Sequence, residues 1–184
     1  MSAEIVGRNM PAFVTLDDLA EMIDADQHGH RYETSPEGVL TVVPPPDSDH
    51  ALIATYLMVW LASGLPKDRI LQVAGVQIKG SKGVGGRIPD LTVWSRRQAR
   101  AVYLPTDDLQ LVIEIVSTGS EGVDLLTKVN EYAAAGIPMY WTVARDDDQT
   151  VTMYVPGSGQ TYRVAATMPL EWLLNTKPQD YIAA

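Results

Sequence analysis

Apolar residues recur at helical spacing in three stretches of the chain. Leu16, Leu19, Ala20, Met22 and Ile23 form a stripe behind Thr15-Leu16-Asp17-Asp18, which resembles a helix N-cap, and this predicts a short amphipathic helix over residues 15–25. Leu52, Ile53, Tyr56, Leu57, Val59 and Trp60 predict a second, largely buried helix, capped by Asp47 or Ser48 and ending near Ser63 with Gly64 just beyond. Leu125, Val129, Tyr132 and Gly136 share one face of a third, over about 122–135.

Elsewhere the pattern is that of extended chain. Arg31–Thr34 and Val39–Val43 read as a hairpin around Ser35-Pro36-Glu37-Gly38, which places proline and glycine where turn chemistry wants them. Strands are predicted over 70–79, 88–95 and 109–116, the first two joined by the glycine-rich stretch Gly80–Gly86. Strands over 139–144 and 150–155 flank the acidic turn Asp146-Asp147-Asp148, and a strand near 160–166 precedes a short helix at Leu170–Asn175. This order predicts an α/β or mixed α+β fold, a central mixed sheet flanked by helices. With 184 residues, 46% of them hydrophobic, and no shift in composition, one domain over 1–184 is expected.

Composition narrows the chemistry. The chain has no cysteine, which excludes thiol nucleophiles, disulfides and cysteine-ligated zinc. No apolar run approaches the ~20 residues that span a bilayer, so no membrane association and a cytoplasmic location are expected. A net charge of -9 argues against a general nucleic-acid coat protein. One segment departs from that average: Lys79, Lys82, Arg87, Arg96, Arg97 and Arg100 surround a single acid, Asp90, for a local balance of +5. If the protein meets a polyanion such as DNA, this is the segment to do it; the alternative is a solvated loop with two strand ends.

Asp90, in Arg87-Ile88-Pro89-Asp90, opens one predicted strand, and Glu114 interrupts the otherwise apolar Leu111–Val116 of the next. An unpaired buried carboxylate costs several kcal/mol, so Glu114 must be neutralised, paired or bound to a metal. Two carboxylates on neighbouring strands can share one hard divalent cation, with waters and a substrate phosphate completing its shell. That is the minimal apparatus for metal-assisted phosphodiester hydrolysis.

Pro89-Asp90 followed by Glu114 in an apolar strand resembles the signature of the PD-(D/E)XK nuclease superfamily. The further run Glu114-Ile115-Val116-Ser117, Asp124, Lys128, Tyr132, Gly136-Ile137 and Tyr140-Trp141 resembles the Uma-type family of restriction endonucleases within it, and Tyr32-Glu33 extends the match toward the N-terminus. The resemblance covers about residues 15–155. It implies a restriction-endonuclease-like fold, a Mg²⁺ or Mn²⁺ cofactor held by Asp90 and Glu114 with Glu33 as a further ligand, and catalysis by Asp90, Glu114 and Lys128. Lys128 would orient the attacking water or stabilise charge developing on the phosphorus. The superfamily lysine two residues after the glutamate is absent: Val116 stands there, and Lys128 takes the position used by Uma-type sequences. Thr118-Gly119 replaces the family's usual proline and serine. Without the resemblance, Lys128 reads as an i, i+4 partner of Asp124 on a solvated helix face.

Two classes of function remain open: a metal-dependent DNA endonuclease, expected as a homodimer with Lys82, Arg87, Arg96, Arg97 and Arg100 contacting DNA, or a non-enzymatic binding or assembly module on the same fold. His28-x-His30 lacks a third nearby ligand and reads as loop. His50 fits the pattern of the Uma-type family but also sits where a helix cap would, and is given no catalytic role. Gly80–Gly86 lacks P-loop spacing, and no serine occupies a G-x-S-x-G elbow.

Overall fold

The fold is taken from a computed structural model, which describes residues 14–43, 45–80, 82–116 and 123–182, without the side chains of 123–125. Helix α1 (Leu16–Ala25) starts on a capping box: the Asp18 amide donates to Thr15 Oγ1 at 3.1 Å and the Thr15 amide donates back to Asp18 Oδ2 at 2.8 Å. It packs against an antiparallel hairpin, β1 (Arg31–Thr34) and β2 (Leu40–Val43), whose register runs from Arg31↔Val43 to Thr34↔Leu40. Helix α2 (Ser48–Gly64) follows, with Asp47 as N-cap accepting from the His50 amide at 3.0 Å.

Strands β3 (Ile70–Gln72), β4 (Gly75–Lys79), β5 (Val84–Arg87), β6 (Leu91–Trp94), β7 (Tyr103–Leu104) and β8 (Leu109–Val116) precede helix α3 (Val123–Ala134). The chain then forms β9 (Tyr140–Ala144), β10 (Thr150–Pro156), β11 (Tyr162–Pro169) and the short α4 (Leu170–Leu174). The strands make two mixed sheets, one ordered β2-β1-β5-β4-β7 and the other β11-β10-β9-β8-β6-β3. The parallel pair β8–β9 is joined through α3, the crossover that parallel strands require.

The mixed α+β class agrees with the sequence pattern, but two sheets replace the single expected one, because predicted strand 70–79 divides between them and a further strand, β5, lies where a turn is expected before β6. Residues 70–79 break at Val73, whose φ of 54° is a left-handed conformation that a β-branched residue adopts only under constraint. Its amide donates to the Asp90 carbonyl at 3.1 Å. The second break lies between Arg87, which ends β5 in the five-stranded sheet, and Leu91, which opens β6 in the other. The reversal inside the glycine-rich stretch is also shorter than expected: the Gly80 amide bonds the Gly83 carbonyl, and Val84–Arg87 is already strand. Glycine is needed there for close approach, since a Cβ on Gly86 would lie 2.6 Å from the Tyr103 ring.

Alternation along β8 assigns its two faces to different helices. Leu111, Ile113 and Ile115 pack with Ile53, Leu57, Trp60 and Leu61 of α2, each fully buried aliphatic side chain contributing about 2 kcal/mol. Val112 on the other face packs with Tyr132 of α3 and Tyr140 of β9, and Glu114 points the same way. Among the described residues, no helix is long and apolar enough to cross a membrane.

Candidate active site

The passage from one sheet to the other, Arg87-Ile88-Pro89-Asp90, brings the charged residues together. Antiparallel register pairs Leu91 with Ile113, which sets Asp90 across from Glu114 at the end of the β6–β8 ladder. Asp90 Oδ2 accepts from the Ile115 amide at 2.9 Å, so its carboxylate lies against the backbone beside Glu114. Asp90 Oδ2 also lies 3.1 Å from His50 Nε2, and Oδ1 accepts from Arg31 Nη1 at 3.0 Å. Burial by itself would raise the Asp90 carboxyl, but the hydrogen bonds from His50 and Ile115 and the nearby Arg31 charge outweigh it and hold the group below the usual range.

Glu114 has the opposite balance. Burial pushes its carboxyl up to about 7; Lys128 opposes the rise, and the neighbouring Asp90 and Glu33 add to it. Its Oε1 accepts from Tyr132 Oη at 2.9 Å and from Lys128 Nζ at 3.1 Å. Lys128 thus reaches, from α3, the carboxylate whose strand face carries Val116. Its ammonium also lies 3.5 Å from Glu33 Oε2.

Glu33 is held on both oxygens. Oε1 accepts from the Ile88 amide at 2.9 Å, and Oε2 accepts from Arg87 Nη1 at 3.3 Å while also facing Lys128. These bonds make it a support for Lys128 and Arg87 before it is a metal ligand. Arg87, expected to contact DNA, is buried, and its guanidinium forms a two-pronged pair with Glu131: Nε to Oε2 and Nη2 to Oε1, both 2.8 Å. Burial opposes its charge, but Glu131 and Glu33 prevail and raise its pKa.

Lys79, Lys82, Arg96, Arg97 and Arg100 are exposed; Arg96 lies six residues beyond Asp90, up to about 20 Å along extended chain. Arg96 also pairs with Asp108 at 2.7 Å. The cations at the carboxylates are instead Arg31 and Lys128. The His28-x-His30 loop is organised by Asp26, which accepts from both backbone amides and contacts the His30 ring at 3.1 Å. Ser117, Thr118, Gly119 and the Asp124 and Leu125 side chains lie outside the described residues.

Four members of the cluster are not legible as site residues from local pattern alone, although Tyr132 lies in the run that resembles the Uma-type family. His50 reads there as a cap residue, yet its amide is capped by Asp47 while its ring turns to Asp90. Tyr132 reads as packing, Glu131 as one more charge on a helix, and Arg31 only as strand. Alternation offers a usable signal for Arg31, since Arg31 and Glu33 share one strand face, and helical spacing offers one for Glu131 and Tyr132, three and four residues after Lys128.

Asp90 and Glu114 are the opposed carboxylates that a hard divalent cation could share, although among the described residues no three His, Asp or Glu side chains are grouped to hold a metal ion. His50 Nδ1 and Arg31 Nε, on the side chains that flank Asp90, are buried and have no hydrogen-bond partner among the described residues.

The mixed α+β fold is similar to that in the crystal structure of a "putative nuclease" from Anabaena variabilis ATCC 29413, with a TM-score of 0.58 and 20% identity over 79% of this chain and 82% of that one. A family model, Uma2, described as "Putative restriction endonuclease", matches residues 16–179. The chain belongs to the Uma2 family. Among curated proteins, none matches it.

Proposed function

We propose that the protein is a metal-dependent nuclease that hydrolyses phosphodiester bonds of DNA. The observation that supports this best is the convergence of Asp90, Glu114 and Lys128 at one strand end in a chain of the Uma2 family. Asp90 and Glu114 would hold Mg²⁺ or Mn²⁺, which when bound supplies an activated water and compensates charge on the phosphate. His50, Arg31 and the Ile115 amide keep Asp90 ionised. The Tyr132 hydroxyl fixes the Glu114 carboxylate. Lys128, held between Glu114 and Glu33, orients the attacking water or stabilises charge developing at phosphorus, a contact of the kind worth about 10²–10³ in rate. A homodimer would present one site to each strand of a duplex.

The test is incubation of supercoiled, linear and single-stranded DNA with Mg²⁺, Mn²⁺ or a chelator. Metal-dependent cleavage that disappears in Asp90→Asn is expected; failure to cut any form with either metal overturns the proposal.

One observation favours a second reading, a non-enzymatic binding or assembly module. Both Asp90 oxygens already have donors from the chain, so the cluster closes on itself. That reading expects Asp90→Asn to change neither metal affinity nor any activity on DNA.

A further inference from the structure

Helix α2 is apolar on two sides. Ile53, Ala54, Leu57, Trp60 and Leu61 are buried, yet Leu52, Tyr56 and Val59 are 46%, 43% and 65% exposed. Spacings of four and three residues place these on one outward stripe, where a surface helix ordinarily carries polar side chains. Ala51, Thr55 and Ser63, exposed beside them, are small and uncharged, and Asp49 is the one acidic or basic residue, histidine aside, in Ser48–Gly64.

We propose that this stripe is the contact between two copies of the chain, packed as an antiparallel pair of α2 helices about a two-fold axis at Tyr56. Symmetry favours a second copy. Tyr56 is the midpoint of Ser48–Gly64, so the axis returns the stripe onto itself: Tyr56 meets its own copy and Leu52 falls beside the partner's Val59. An interface of this kind must be self-complementary.

Charge favours the same arrangement. The N-terminal end of α2 carries Asp47 and Asp49, both more than half exposed and both 2.9 Å from Arg145, a net -1. Beyond its C-terminal end, Lys67-Asp68-Arg69 carries a net +1. Antiparallel packing sets one end against the other, and the helix dipoles oppose in the same favourable sense; parallel packing would set acid on acid.

The area requires more than the stripe. A 17-residue helix presents a face about 25 Å long and about 11 Å wide, which is on the order of 300 Å² of the roughly 800 Å² that each partner buries in a standard interface. Segments beside α2 contribute the rest. Helix α4 packs against α2 and carries Trp172, 66% exposed, a residue type enriched at such contacts. The nuclease reading expects a homodimer; this inference locates its contact, on observations that do not depend on that reading.

The chain has no cysteine, so Tyr56→Cys places a single thiol on the proposed axis. Mild oxidation is expected to convert that variant to a covalent dimer of twice the 20.1 kDa chain, while Val102→Cys, exposed on the loop before β7, stays monomeric. Sedimentation equilibrium of the unaltered protein is expected to give a dimer that Leu52→Glu/Val59→Glu converts to monomer without changing the circular dichroism spectrum, and that Lys67→Glu weakens several-fold at low salt. A monomer at about 100 μM, a concentration that populates even weak specific dimers, overturns the proposal. So does a dimer that survives Leu52→Glu/Val59→Glu, which would mean pairing through another face such as the β11 edge.

Discussion

Lys128 Nζ lies 3.1 Å from Glu114 Oε1, across the boundary between helix α3 and strand β8. The helix supplies the ammonium that the strand, with Val116, lacks. Because Glu33 stands 3.5 Å away on the other side, the same ammonium partly neutralises two buried carboxylates.

Lys128→Met therefore has two expected consequences. Cleavage falls by about 10² or more, as when a group that faces developing charge is removed. The protein also loses stability, by on the order of 1–3 kcal/mol, because Glu114 keeps its burial and loses its cation while Glu33 is left with Arg87 alone. Single-turnover cleavage and urea unfolding read the two effects separately; full activity with unchanged stability would show that the pair is incidental.

Arg87→Ala is expected to destabilise by about 3–5 kcal/mol, leaving the half-buried Glu131 without its two-pronged partner and the buried Glu33 with Lys128 alone. Arg87→Lys should recover only part of this, since an ammonium cannot reproduce the two-pronged pairing. Urea denaturation checks both. Weaker DNA affinity with unchanged stability would return Arg87 to the substrate surface.

Glu114 sets a pH dependence in the metal-free protein. Its folded-state carboxyl titrates near 7 against an ordinary 4.5, so between those values the folded state binds the extra proton. Stability then falls as pH rises through that window. Asp90, held below its ordinary value, contributes in the other direction, with stability present above that value and lost as the solution becomes more acidic. Glu114→Gln should flatten the decline between about pH 4.5 and 7, measured by thermal unfolding at constant ionic strength; an identical slope in the variant would contradict the assignment.

Much of the fold is legible in the sequence because period and punctuation agree: Thr15 with Asp18, Asp47 before α2 and the alternation of Arg31–Thr34 all specify local structure. The division into two sheets is not, because it depends on Val73, inside a largely apolar run, and on Ile88-Pro89-Asp90, which the pattern places at the start of a strand and not between two sheets. At the site, Glu114 stands out as a charge among apolar neighbours. His50 and Arg31 do not, because neither a helix start nor an exposed-looking strand end reveals that its side chain turns toward a carboxylate 40 or 59 residues away in the chain. Arg87 misleads for a related reason: composition counts a charge without showing whether Glu131 has already taken it.

If the exposed segment contacts DNA, combined Arg97→Ala and Arg100→Ala substitution should reduce the slope of log affinity against log salt by about 0.9 for each phosphate that is no longer neutralised. Arg96→Ala should add less, since Asp108 already holds its guanidinium. Fluorescence anisotropy over a salt series reads the slopes, and unchanged values would move the substrate surface elsewhere, with Arg31 and Lys128 as the nearest alternatives.

Whether Asp90 and Glu114 share one cation decides the nature of the cluster, and calorimetric titration of the protein with Mn²⁺ addresses this most directly. One ion per chain is expected, with binding abolished in Asp90→Asn and in Glu114→Gln while both variants keep a cooperative unfolding transition. Absence of binding to the unaltered protein, or equal affinity in all three, would contradict the nuclease reading and leave the cluster as an internally satisfied ion-pair network.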